Sequence, residues 1–256
     1  MISELLLLSG NDLPFPEGKL TIHQPTLKEI AYIGEETFLI GCGFLDFSKK
    51  ILSSQDKINL ENYDDFDIFM SIMISKEREV KRSVECAVLV LSLIFPLYSM
   101  QVRSDAIVFI KEDNSEGMIC KNNFAAFKKI LQQMFNLNMG KEQDDKYKPA
   151  GSMAQRIAEK FKKRHETLLK LKNNNDVSEK GINILSRYVS ILAVGEQKDL
   201  NDLMQYTIYQ LYDEFQRYQL KVQWDAYIQA RMAGAKDLDE VDNWMIDLKD
   251  QKKKEK

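Results

Sequence analysis

Residues 204–222 read MQYTIYQLYDEFQRYQLKV, and large apolar or aromatic side chains recur in them at alternating spacings of four and three. This spacing lines side chains along one face of an α-helix. The residues on the predicted face are Met204, Ile208, Leu211, Phe215, Tyr218 and Val222. Because Glu214 and Arg217 fall away from that face, the stretch predicts a long amphipathic helix with one packed side and one solvated side.

Helical patterns dominate the rest of the chain, but short β-prone runs occur in the first half. Lys19 to His23 alternates like a strand, and Thr26 with Glu29 forms a capping box that opens a helix. β-prone stretches within 99–121 flank a polar segment at 112–117 and predict a hairpin. We therefore predict a mainly α protein, helical with a small β element (the strand plus the hairpin) in the N-terminal half and an all-helical C-terminal half.

Local signals predict where other elements begin and end. The N-terminal run MISELLLLSG lacks the basic segment of a signal peptide and is interpreted as a strand or a buried start. Asp64 or Asp65 can cap a helix, and Pro96 ends an apolar one. Gly41 and Gly43 predict a helix break or a close backbone contact.

A polar stretch at 136–152, NLNMGKEQDDKYKPAGS, is the best candidate for a domain boundary because it contains Gly140, Pro149 and Gly151. We predict an α+β N-terminal domain over residues 1–140 and a helical C-terminal domain over residues 141–256.

The composition argues against several function classes. The 256-residue chain has a net charge of −3, so no global field attracts nucleic acid or an anionic membrane. Its longest apolar stretch, 86–97, is shorter than the roughly 18 residues of a membrane-span candidate. The three cysteines form no CxxC pair, which favours a reducing cytosol.

No catalytic signature is present: GxSxG, HExxH, GxxxxGK[ST] and GxGxxG are all missing. Two acidic groups resemble magnesium ligands, but both stand where helices are predicted to begin, so a capping role is preferred. Their members are Asp64, Asp65 and Asp67, and Asp237, Asp239 and Glu240. We therefore expect a non-enzymatic protein and assign no catalytic, cofactor-binding or metal-binding residue.

Two surface features suggest a binding role. A predicted helix from Ser152 is basic at Lys162, Lys163 and Arg164, which suits a solvated face, an acidic protein partner or, less readily, nucleic acid. Tyr209 and Tyr212 lie off the apolar face of the long C-terminal helix, where exposed aromatic rings are typical of protein interfaces. These five residues are the candidate partner-binding residues.

Most of the chain resembles tail assembly chaperones encoded in the tail modules of phages and prophages of low-GC Gram-positive bacteria. The segments that carry the resemblance are YKPAGSMAQRIAEKFKKRHETLLKLK, ILSRYVSILAVGE, LMQYTIYQLYDEFQRYQLKVQWDAYIQARMAGAK, VDNWM and LPFPEGKLTIHQPTLKEIAYIGEETF. These segments are patterns of residue type and contain no chemical signature.

The resemblance implies a role without catalysis. Such chaperones keep the helical tape-measure protein soluble, help tail-tube proteins polymerise around it and then leave; self-association is compatible with this role. The first alternative is a virion structural subunit such as a tail, baseplate or connector protein. The second is a phage nucleic-acid-binding protein, which would show salt-dependent retention on DNA.

Overall fold

The computed structural model describes residues 2–46, 64–75, 78–137, 183–235, 241 and 243–246. The predicted basic helix, with Lys162, Lys163 and Arg164, lies outside these ranges, as do Asp237, Asp239 and Glu240. The predicted boundary after residue 140 also lies outside them, so the division into two domains stays a prediction.

Helices occur along the whole described chain, and strands occur only before residue 121. The helices are α1 (Glu4–Ser9), α2 (Leu27–Ile33), α3 (Glu35–Leu45), α4 (Asp65–Ile74), α5 (Arg78–Ile94), α6 (Phe124–Met134), α7 (Ile184–Gly195), α8 (Leu200–Leu203) and α9 (Ile208–Met232). The strands are β1 (Leu13–Phe15), β2 (Leu20–Ile22), β3 (Tyr98–Val102), β4 (Ala106–Lys111) and β5 (Glu116–Cys120). Within the described ranges, no helix combines the length and apolarity that a membrane crossing requires.

The predicted mainly α class is wrong because the β structure is larger than one strand and one hairpin, although the predicted hairpin around 112–117 is present as β4 paired with β5. β1 and β2 form their own antiparallel sheet, and β3, β4 and β5 form a second antiparallel sheet in that order. Two turns were missed. Pro16–Gly18 is a short 3₁₀ turn between β1 and β2, and 103–105 divides β3 from β4. The described chain is therefore α+β in its first half, with five strands in two sheets.

The N-terminal run is a helix, and the strand interpretation is wrong. Ser3 caps α1 by accepting a hydrogen bond from the amide of Leu6, and Gly10 ends it in the left-handed conformation at φ 69°. Consecutive leucines point to all sides of a helix, so Leu7 is buried while Leu5 is 79% exposed. The apolar run alone could not separate a strand from a short, well-capped helix.

Three local predictions about helix ends are confirmed. Thr26 and Glu29 form the reciprocal capping box of α2, with the Glu29 carboxylate 2.7 Å from the Thr26 amide nitrogen. Asp64 accepts a hydrogen bond from the Asp67 amide at 2.9 Å and caps α4. α5 ends at Ile94, shortly before Pro96.

Helices α3 and α5 pack against each other closely at Gly41. A Cβ atom on Gly41 would lie 2.6 Å from the carbonyl oxygen of Cys86 and 2.6 Å from a methyl group of Val90. The predicted close backbone contact is therefore confirmed, while α3 runs through Gly41 and Gly43 without a break. The break falls at Gly34, which separates α2 from α3 at φ 88°.

The core of the first half is built largely from phenylalanine rings that connect helices to both sheets. Phe127 of α6 packs on Phe15 of β1, with ring centroids 6.0 Å apart, and on Phe95 at 6.2 Å. Phe95 in turn contacts Phe109 of β4 at 4.2 Å. Buried residues of α7 and α9, including Phe215, join the same hydrophobic cluster, so α7 and α9 pack onto the N-terminal half.

The start of α9 joins the start of α2 through their backbones. Thr26 and Thr207, the N-cap residues of the two helices, form an antiparallel bridge. The amide of Leu27 donates to the Tyr206 carbonyl oxygen at 2.8 Å, and the amide of Lys28 donates to that of Met204 at 2.9 Å. Two amides in the first turn of α2, which no helix can satisfy internally, are thus satisfied by the chain before α9.

Two further side-chain contacts join N-terminal elements to the starts of α7 and α9. The Glu35 carboxylate accepts hydrogen bonds from the amides of Leu185 and Ser186 at 2.7 and 3.3 Å, so a residue of α3 caps the first turn of α7. The Gln210 side chain accepts from the Thr207 amide at 2.8 Å and donates to the carbonyl oxygen of Leu8 at 2.7 Å. The first turn of α9 is therefore fixed to the end of α1.

His23 connects β2 to two acidic side chains. Its Nδ1 lies 2.9 Å from an Asp12 oxygen, and its Nε2 lies 3.3 Å from both Glu29 oxygens. Burial lowers the pKa of His23, but the hydrogen bonds and charges of Asp12 and Glu29 outweigh it and raise the pKa above its usual value. Protonated His23 therefore stabilises the fold, and this contribution is lost as the pH rises through the raised pKa.

The close contact at Gly41 predicts opposite effects for two glycines of one helix. Gly41→Ala should lower the free energy of unfolding by about 1–3 kcal/mol, because its methyl group meets the Cys86 backbone. Gly43→Ala, with no neighbouring atom within 4 Å of the added Cβ, should raise it by up to about 1 kcal/mol. Urea denaturation of the two variants measures both changes, and equal effects would show that α3 does not pack on α5 as described.

Candidate partner-binding groove

A groove of about 440 Å³ lies between α1, the loop after α7 and the first half of α9. Its walls combine apolar, aromatic and charged side chains. The lining residues are Leu8, Glu196, Tyr206, Gln210, Asp213, Glu214, Arg217, Tyr218, Lys221 and Trp244. Because Gln210 bonds to the Leu8 carbonyl oxygen, the junction between α1 and α9 forms one end of this groove.

The apolar face predicted for the long helix is correct in its first half. Ile208, Leu211 and Phe215 are buried, and the Phe215 ring stacks on Tyr188 of α7 with centroids 3.9 Å apart. Val222 is 47% exposed, so the face emerges from the core beyond Tyr218. A further buried position, Leu220, lies on another side of the helix and was not predicted.

Tyr209 and Tyr212 are half-buried and pack against the core, so their predicted exposure is wrong. The Tyr212 ring meets Tyr188 edge-on at 5.5 Å between centroids. Burial, followed by the nearby Tyr188, Glu35 and Cys42, raises the pKa of Tyr212 to about 12. Helix α7 covers this side of α9, which the spacing within α9 alone could not reveal. The role of Tyr209 and Tyr212 in partner binding stays a prediction, as does that of Lys162, Lys163 and Arg164.

A charged network ties the loop after α7 to α9 at one wall of the groove, which Glu196, Tyr206 and Glu214 line. Lys198 contacts the Glu214 carboxylate, lies 3.3 Å from an oxygen of Glu196 and donates a hydrogen bond to the Tyr206 hydroxyl at 3.0 Å. Its ammonium also lies 5.4 Å from the centre of the Tyr206 ring. Sequence reasoning missed this network, because its residues carry no motif and meet only when the loop folds back onto α9.

The network keeps its charges in partly buried surroundings. Burial lowers the pKa of Lys198, but its hydrogen bonds to Glu214 and Tyr206 and their charges outweigh this, so its pKa is raised. Burial raises the pKa of Glu196, and the adjacent Glu214 carboxylate raises it further. Two carboxylates compete for one ammonium here, an arrangement that fixes the position of the loop against α9.

Tyr218 separates this groove from a second, mostly apolar one of about 340 Å³. A Cβ atom on Gly195 would lie 2.2 Å from the Tyr218 hydroxyl oxygen, so a larger residue at the end of α7 would displace the ring from its present position. The second groove is lined by Arg187, Ser190, Ile191, Val194, Gly195 and Tyr218. Val194 is 83% exposed at its edge.

The described carboxylates at helix starts serve as caps and in ion pairs. Asp65 lies 3.1 Å from Lys128, and Lys121 lies 2.6 Å from Asp64 and 2.9 Å from Asp67. Within the described ranges, no group of three or more His, Cys, Asp or Glu side chains is arranged to hold a metal ion. The groove is therefore the feature of the described chain that best suits a binding role.

A family model matches part of the chain. Residues 172–249 match a family model described as the YomV second domain, which belongs to a phage-associated family from Bacillus. The matched segment is less than a third of the 256-residue chain and contains every groove residue except Leu8. No curated protein and no solved structure matched. The match supports a phage-associated protein and specifies no role within the phage.

The charged network predicts that replacing Lys198, before α9, and Lys221, within α9, changes the free energy of unfolding by different amounts. Lys198→Met should lower the free energy of unfolding by about 1–3 kcal/mol, because the partly buried Glu214 loses its cation. Lys221→Met should leave it nearly unchanged, since the Lys221–Asp225 pair is exposed and spans one helical turn. Thermal denaturation at low ionic strength measures both variants.

A third variant separates the charge from the packing. Combining Lys198→Met with Glu214→Gln should restore part of the lost stability, because the unpaired carboxylate is removed together with its partner. A double variant as unstable as the sum of its single changes would contradict the coupling.

Proposed function

We propose that this chain is a non-enzymatic phage tail assembly chaperone that binds helical segments of a tape-measure protein in the host cytoplasm. It would keep the tape measure soluble while tail-tube proteins polymerise around it. The observation that carries the proposal is the position of the groove, which lies almost entirely on the segment that matches a phage-associated family. The resemblance of most of the chain to tail assembly chaperones supports the finer role.

The surface around the groove has the composition that an amphipathic helix needs. Tyr206 and Tyr218 supply aromatic area, and charged residues such as Arg217 surround it. Such a lining suits helix-in-groove binding, in which apolar positions at three- and four-residue spacing enter the groove and polar ones meet its rim. A tape measure exposes helical apolar faces of this kind until the tail tube covers them.

Exposed apolar side chains extend this surface beyond the groove. Val194 of α7 is 83% exposed and lines the second groove, which shares Tyr218 with the first. Val222 is 47% exposed and lies one helical turn beyond Tyr218 on the same side of α9. A partner helix that covered both residues would remove apolar surface from water without any change in the core.

Co-expression with the tape-measure protein of the same phage tests the proposal. The tape measure should remain soluble and co-purify with the chain, and it should precipitate when expressed alone. Val194→Ser combined with Val222→Ser should weaken retention at least about tenfold, because two buried contacts of about 1 kcal/mol each are lost. Leu97→Ser is the matched control, since Leu97 is 70% exposed and belongs to neither groove.

Two other outcomes would contradict the proposal. Tape-measure solubility that is indifferent to the chain, together with recovery of the chain in finished particles, would favour a virion structural subunit. Retention on DNA that falls steeply with salt, with no effect on the tape measure, would favour a nucleic-acid-binding protein.

A further inference from the structure

The three-stranded sheet has two outer strands, β5 and β3, and the chain covers the edge of β5. The turn between β1 and β2 approaches this edge so closely that a Cβ atom on Gly117 would lie 2.8 Å from the Gly18 carbonyl oxygen. The Asn123 side-chain amide donates to the Met118 carbonyl oxygen at 2.9 Å, and its Oδ1 accepts from the Cys120 amide at 2.8 Å. Backbone groups at the edge of β5 are therefore satisfied within the chain.

The edge of β3, in contrast, faces solvent. Among the described strands, β3 has β4 as its one neighbour. Ser99, Gln101 and Val102 are exposed, Val102 by 41%. Residues 98–102, YSMQV, contain neither a charged residue nor a proline, which commonly prevent an edge strand from pairing with another chain. β3 therefore keeps a capacity for pairing that β5 lacks.

The register of β3 on β4 shows which backbone groups point to the open edge. The Arg103 amide donates to the Ala106 carbonyl oxygen at 2.8 Å, which makes these residues a hydrogen-bonded pair of the antiparallel pattern. Hydrogen-bonded and non-hydrogen-bonded pairs alternate along such a ladder. The N–H and C=O groups of Tyr98, Met100 and Val102 therefore point away from β4, toward solvent.

These outward groups match those of a second β3 strand that runs antiparallel about a two-fold axis. With Met100 opposite its own copy, the two Met100 residues exchange two hydrogen bonds. The Val102 amide of each copy then donates to the Tyr98 carbonyl oxygen of the other, which adds two more. The Tyr98 amide already donates to the Phe95 carbonyl oxygen at 3.1 Å, so it needs no partner across the axis.

The side chains on the core side of β3 also suit this pairing. Met100 lies opposite Phe109 of β4, and Tyr98 and Met100 pack against the hydrophobic core. Val102 lies on the same side of the strand but extends beyond the core. In the symmetric pair each Val102 would lie opposite the Tyr98 ring of the other copy, and pairs of aromatic and β-branched residues stabilise neighbouring strands.

We propose that the edge of β3 is an interaction surface for a second copy of this chain, and that two copies join their three-stranded sheets into one six-stranded antiparallel sheet. The contact is isologous, because each copy contributes the same residues. Strands of five residues bury a small area, so the dimer exchanges with the monomer as the concentration changes. This inference goes beyond the proposed function, since it involves neither the groove nor a tape measure.

Sedimentation equilibrium of the full-length chain over a series of concentrations tests the inference. The wild-type chain should show a reversible monomer–dimer equilibrium. Val102→Pro should weaken dimerisation at least about tenfold, because each copy loses an N–H that donates to the other. Proline should leave the pairing of β3 with β4 in place, since the N–H of residue 102 points outward. Val102→Thr keeps both the N–H and the branched side chain, so this matched control should dimerise like the wild type.

A second pair of variants tests the register without proline. Residues 99 and 101 would face each other across the axis on the exposed side of the sheet. At low ionic strength, Ser99→Glu with Gln101→Glu should weaken dimerisation at least about fivefold, whereas Ser99→Lys with Gln101→Glu should not, because opposite charges then meet. A wild-type chain that stays monomeric up to on the order of 1 mM would overturn the inference. Dimerisation that is equal in the two Val102 variants, or in the two charge variants, would also overturn it.

Discussion

The antiparallel bridge between Thr26 and Thr207 is the interaction on which the arrangement of the two halves depends. Each threonine caps a helix through its side chain, and the bridge places the two helix starts side by side. The amides of Leu27 and Lys28 donate to carbonyl oxygens just before α9 instead of to water. Since unsatisfied amides near a core cost free energy, neither helix start can move without a loss at the other.

The contacts that fix the start of α9 also shape the groove. The Gln210 side chain completes the cap of α9 and bonds to the end of α1, so the same residue that stabilises a helix start positions a groove wall. The Lys198 network then sets the opposite wall by holding the loop after α7 against Glu214. Polar contacts on two sides of the groove therefore fix its walls. The apolar area between these walls stays available to a partner.

Sequence patterns predicted the features that depend on neighbouring residues. The capping box at Thr26, the cap at Asp64 and the buried start of the apolar face of α9 follow from spacings of three and four. The second capping box, T-x-x-Q at 207–210, carries the same signal and was overlooked, so the helix was expected to include Met204.

Features that depend on distant residues could not be predicted in this way. The pairing of β1 with β2 required recognition of the Pro16–Gly18 turn, and the two sheets contain more β structure than the predicted strand and hairpin. The burial of Tyr212 depends on Tyr188, whose position is set by the contact between α7 and Glu35. The groove combines Leu8 with residues about 190 to 240 positions later, which no local pattern can bring together.

Hydrogen–deuterium exchange of individual amides in a Thr207→Ala variant tests the central role of the junction most directly. If the two helix starts are coupled, the amides of Leu27 and Lys28 in α2 should lose protection together with the amide of Gln210 in α9. Amides in the middle of α6, such as that of Ile130, should keep theirs. Loss of protection confined to α9, with Leu27 and Lys28 unchanged, would contradict the account.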